Sequence, residues 1–81
     1  MKVQEQISLK SISNGTKVRL LKIQAGQGLN ARLAVMGLLP GSQLIVINNG
    51  HPGPFIVDIK GTRIVLGKGI ASKMFVRAME S

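Results

Sequence analysis

The sequence has no cysteine, no tryptophan and no tyrosine, and its remaining aromatic side chains are Phe55, Phe75 and the single histidine, His51. Without cysteine a disulfide-stapled scaffold is excluded, so one hydrophobic core must hold all 81 residues. The same absence fits a reducing cytosol and a cytoplasmic protein. Acidic residues are nearly as scarce, being limited to Glu5, Asp58 and Glu80. Long apolar runs are missing as well: Leu44–Ile47 spans four residues, far short of the ~18 that a bilayer crossing needs, and no transmembrane segment is expected. The N-terminal MKVQEQISLK has no continuous apolar stretch behind its lysine and does not read as a secretory leader.

What is present is a dense supply of branched aliphatics. Seven Val, nine Ile and nine Leu are enough for a compact interior and argue against disorder. The ten glycines exceed the usual share of about 7%, so tight turns should be frequent. With no linker and no internal repeat, residues 1–81 read as one domain. The net charge of +8 points to an anionic partner, and equally to a small domain kept soluble by its charge. The cations are scattered from Lys2 to Arg77 without an adjacent run, which excludes a polybasic tail.

Along the chain, residues 1–7 read as a lead-in or edge segment, followed by a helical turn capped by Ser8 with Leu9 and Ile12 on one face. Thr16–Ile23 reads as a first strand, with Val18 and Leu20 opposite Lys17 and Arg19. The glycines of Gln24–Leu29 predict a loop, and Asn30 the cap of a helix that shares Leu29, Leu33 and Met36 on one face. Ala31, Arg32, Ala34, Val35 and Leu38 lie off that stripe. The helix is therefore apolar around most of its circumference, and either lies deeply buried, the preferred reading, or docks a partner with its outer side.

Gly37 stands where a left-handed C-terminal residue is wanted, and Leu39-Pro40-Gly41-Ser42 fits a type II turn. Gln43–Asn48, apolar on both faces, should be a central strand. Residues 49–54 form an exposed Pro/Gly loop. Phe55–Lys60 and Thr62–Leu66 alternate around Gly61 as a hairpin, with Phe55 and Phe75 both inward. A helical turn bearing Ile70 and Met74 then precedes a last strand, Phe75–Ala78. The sum is mainly β: a small, partly open antiparallel barrel of about five strands, one short helix after the first strand and a helical turn before the last.

The side chains supply little catalytic chemistry. His51 stands alone in a loop, and the three carboxylates fall in separate elements, so no nucleophile–base pair or acid pair is expected and the chain does not read as an enzyme. The same poverty argues against an intrinsic metal centre or cofactor; His51 is at most a weak ligand, and any transition-metal contact would be shared across an interface between copies. Gly26-Gln27-Gly28 and Gly67-Lys68-Gly69 each precede a helical segment, but neither completes a phosphate-binding fingerprint. Nucleic acid is disfavoured because both phenylalanines are expected inside, leaving no platform on which bases could stack.

Residues 32–41, RLAVMGLLPG, resemble the signature of the ferrous iron transport protein A (FeoA) family, in which an Arg-Leu-rich helix runs into Gly-Leu/Met-x-Pro-Gly. The order of the flanking elements is similar too, over about residues 8–78. The resemblance implies an SH3-like barrel, cytosolic and non-enzymatic, working with the ferrous-iron permease FeoB at its cytoplasmic side. The same fold recurs in the C-terminal domain of metal-dependent repressors. On this basis Arg32, Val35, Leu38 and Leu39 are candidate partner contacts, with Arg19, Lys60 and Arg63 as a basic rim and Gly37, Pro40 and Gly41 as the structural turn. Two other readings stay open: a basic nucleic-acid-binding module on the same barrel, and a stand-alone repressor-like domain that senses metal as a homo-oligomer.

Overall fold

In the computed structural model, residues 6–79 are described. They form β1 (Ile7–Ser8), a 3₁₀ turn (Leu9–Ser11), β2 (Lys17–Ile23), α1 (Gln27–Val35), β3 (Gln43–Asn49), β4 (Phe55–Ile59), β5 (Thr62–Leu66), α2 (Lys68–Ala71) and β6 (Met74–Ala78). The strands make one sheet in the order β1-β6-β2-β3-β4-β5, every neighbouring pair antiparallel. This is the small SH3-like architecture, with β3 inside the sheet as its two apolar faces require. A sixth strand joins the expected five because Ile7 and Ser8 pair with Val76 and Phe75 at the sheet edge. The remainder of the expected lead-in, residues 1–5, lies outside the described residues.

Strict alternation builds the interior. Val18 and Leu20 of β2, Leu44 and Val46 of β3, Phe55 and Val57 of β4, and Met74 and Val76 of β6 are all buried, with Leu9 closing one end of the core. No polar or charged residue is fully buried among the described residues, and the one side-chain oxygen shielded from solvent without a hydrogen-bond partner is Oδ1 of half-buried Asn30. Two register shifts bend the sheet around this core: one in β2 against β6 between Leu20 and Lys22, the other in β3 against β4 between Val46 and Asn48. A bulge adds one residue to one strand, and the local twist increases accordingly.

Four expectations are corrected. First, α1 begins at Gln27, capped by the Gly26 backbone with no side-chain cap, and Asn30 lies inside it, its amide donating to the Ala25 carbonyl at 3.3 Å. Glycines read as a loop are thus the start of the helix. Second, α1 is not deeply buried: Leu33 is its only buried residue, while Val35 is 88% exposed and Met36 just beyond it 43%. Third, Leu38 is fully buried and belongs to the core. Fourth, Phe75 is half-buried on the outer face, because Met74 and Val76 occupy the inward positions of β6. Its ring lies 5.6 Å from the Lys22 ammonium.

Candidate partner-docking groove

The segment after α1 is held by local chemistry at every residue. Gly37 adopts φ +92°, the left-handed conformation that ends a helix at little steric cost only in glycine. This turns the chain so that Gly37 N–H donates to the Ala34 carbonyl and Leu38 N–H to the Leu33 carbonyl, both at 2.9 Å. That is the Schellman closure, with the residue after the glycine folded back against the last turn. Leu38 therefore points inward beside Leu33.

Leu39 begins the type II turn. Gly41 has φ +96°, and Ser42 N–H donates to the Leu39 carbonyl at 2.9 Å. The Ser42 hydroxyl ties the two turns together, donating to the Gly37 carbonyl at 2.8 Å and accepting from Leu39 N–H at 3.2 Å. The ladder of β2 continues into the turn through Gly41 N–H to the Leu20 carbonyl at 2.7 Å and Leu20 N–H to the Ser42 carbonyl at 2.8 Å. Arg19 Nη1 adds a bond to the Gly41 carbonyl at 3.0 Å. Leu39 has no place in this network for its side chain, which stays 49% exposed.

Opposite stands the β4–β5 hairpin. Its two-residue loop has positive φ at both Lys60 (52°) and Gly61 (87°), the pattern of a type I′ turn whose twist matches the strands. Asp58 Oδ1 accepts from Gly61 N–H at 2.8 Å and secures the loop. Between the hairpin tip and the 37–42 segment lies an open groove of about 830 Å³. Leu39 and Pro40 form one wall, Lys60 and Gly61 the other, and Lys17, Ile45 and Asp58 lie along it. The register explains this last set: Lys17 pairs with Ile45, Ile45 with Asp58 and Asp58 with Arg63, a single row on the outer face across four strands.

The structure thus brings together some of the expected contact residues and separates others. Leu39, Lys60 and the turn residues Gly37, Pro40 and Gly41 line the groove. Arg19 adjoins it through Gly41, and Arg63 stands next to Asp58 at the end of the row. Arg32 and Val35 are exposed on α1 but are not among the groove residues. Leu38 is removed from the candidate surface by its burial. Lys17, Ile45 and Asp58 were not expected; only the strand register reveals them. His51 is exposed, and no group of three or more His, Cys, Asp or Glu side chains that could hold a metal ion occurs among the described residues. An apolar wall facing two lysines, with one carboxylate between, can bind an amphipathic segment.

Comparison with known proteins gives a consistent picture. A model of the FeoA domain matches residues 7–78. A protein of Methanocaldococcus jannaschii named for Fe(2+) transport, as transport protein A, is 44% identical over 66 residues, which are 82% of this chain and 79% of that one. The crystal structure of an iron uptake regulatory protein, FeoA, superposes with a TM-score of 0.81 at 31% identity, covering 93% of this chain and 99% of the other. A manganese-dependent transcriptional repressor superposes with a TM-score of 0.84 at 20% identity, over 96% of this chain and 44% of the repressor, a likeness of fold.

Proposed function

The chain belongs to the FeoA domain family, and from that premise we propose that it is a cytoplasmic, non-enzymatic accessory protein that regulates ferrous iron uptake by docking on the cytoplasmic part of the FeoB permease. The observation that carries this reading is the groove itself. It sets exposed Leu39 and Pro40 opposite Lys60 on two turns whose backbones are fixed by hydrogen bonds, so a partner segment meets a preformed surface. Preorganised turns lose little entropy on binding, and an apolar side chain that is already exposed gains from being covered. The lysines at the rim favour a segment that carries acidic residues beside its aliphatic ones. Iron is the cargo of the partner in this reading, and the domain need not hold it.

The test is made in a strain whose only route for ferrous iron is the permease. Deleting the gene should lower uptake, the natural chain should restore it, and Leu39→Glu should restore neither uptake nor co-purification with the permease. Undiminished uptake in the deletion strain would overturn the accessory role. Full complementation by a folded Leu39→Glu protein would move the contact away from the groove.

A further inference from the structure

We infer that the outer face of β2 and β6 is a second docking surface, one for anionic lipid, with Leu39 as its apolar contact. The alternation that buries Val18 and Leu20 turns Lys17 and Arg19 to the other side of β2, the register shift between Leu20 and Lys22 brings Lys22 to that side opposite Phe75, and between Met74 and Val76 β6 presents Phe75 and then Arg77. Arg19 and Arg77 are directly opposite each other in the β2–β6 register. Like charges facing across strands destabilise a sheet, so this pairing weakens the free domain unless an anion covers it. No such anion is supplied by Asp58, the one acidic side chain among the described residues, which stands on β4, two strands from β2.

The chemistry of the surroundings favours lipid over nucleic acid. The ring of Phe75 lies beneath the Lys22 ammonium at 5.6 Å and is half-buried, so the face has no free aromatic platform for a base. What adjoins the cations instead is an aliphatic side chain. Arg19 bonds the Gly41 carbonyl of the turn that begins at Leu39, and Lys17 shares a groove with Leu39 and Pro40. A basic sheet face with a projecting leucine beside it matches a membrane interface, where cations meet headgroup phosphates and the leucine reaches the acyl boundary. Such seating draws on Leu39 and Lys17, which also line the groove, so lipid and a protein segment compete for them.

The full chain is tested by co-sedimentation with phosphatidylcholine vesicles and with vesicles containing about 30 mol% phosphatidylglycerol, at low and physiological salt. Retention on the anionic vesicles alone, weakening with salt, is expected. Lys17→Gln with Arg77→Gln removes two cations whose side chains make no hydrogen bond among the described residues, so the fold, checked by circular dichroism, should survive. At about 1 kcal/mol per cation near an anionic surface, the partition coefficient should fall roughly 30-fold. Arg63→Gln with Lys68→Gln, on β5 and α2, removes the same charge elsewhere and should cost several-fold less. Leu39→Ser should lower retention at constant charge. Equal retention on neutral vesicles, equal loss in the two double variants, unchanged retention of Leu39→Ser, or tighter binding to a DNA duplex at the same salt would each overturn the assignment.

Discussion

Leu38 N–H donates to the Leu33 carbonyl at 2.9 Å, and the side chains of both residues are buried, so the bond that closes the end of α1 also delivers the leucine after Gly37 to the core. Leu39, one residue later, is about half exposed and lines the groove. Two adjacent leucines thus have separable roles. Leu38→Ala should destabilise the domain by about 2–5 kcal/mol, the range for truncating a buried leucine. Leu39→Ser should stay within about 0.5 kcal/mol of the natural chain and weaken partner binding instead. Urea denaturation of both variants beside a co-purification assay checks the division; a large stability loss in Leu39→Ser would contradict it.

Gly37 is the pivot that separates them. At φ +92° an added Cβ would find Ile59 Cγ2 at an ordinary 3.7 Å, so the obstacle to a side chain is the backbone conformation and not space. Gly37→Ala should therefore cost about 1–2 kcal/mol. Because the surroundings can accept a methyl group, Gly37→Asn, better suited to the left-handed region, should recover part of the loss. Equal destabilisation by Ala and Asn in thermal melts would point to a steric cause instead.

Ser42 is the staple of the same segment, with its hydroxyl engaged to both Gly37 and Leu39. Ser42→Ala removes both bonds and leaves a half-buried carbonyl with one partner fewer. A loss of about 1–2 kcal/mol is expected, with faster amide exchange confined to Leu39 and its neighbours. Exchange that rises uniformly over the domain would show that the hydroxyl supports the whole fold and not the wall of the groove.

How far these features were legible in the sequence follows from how local their causes are. Gly37 and Pro40-Gly41 announce their turns because the constraint on φ resides in the residue itself, and the strands are visible because Val18, Leu20, Phe55 and Val57 alternate cleanly. Helical periodicity extended past the C-cap sets Leu38 off the buried stripe, but the left-handed glycine before it reverses the direction in which its side chain points. The start of α1 was hidden because Gly26 and Gly28 are poor helix formers and no side chain caps the first turn. Lys17, Ile45 and Asp58 belong to three different strands, and their row depends on strand register, which no short window of sequence contains. Phe75 could be assigned to a face only once β6 was known to begin at Met74.

Lys60 joins stability and docking at one position. It is the only non-glycine residue with positive φ among those described, at 52°, and it holds the first position of the hairpin loop while lining the groove. Asn-Gly is the preferred pair for such a turn, because a short polar side chain tolerates the left-handed region that a lysine occupies at a cost. Lys60→Asn should thus stabilise the domain by about 0.5–1 kcal/mol, raising the urea midpoint with no change in the slope of the transition. The same substitution removes a cation from the groove, so partner binding should weaken as stability rises. The two effects separate with a second variant: Lys60→Gln keeps the strained conformation and loses the charge, so it should weaken binding without the gain in stability. If Lys60→Asn gains stability and binds as well as the natural chain, the lysine charge is not part of the docking surface, and the contact rests on Leu39 and Pro40 alone.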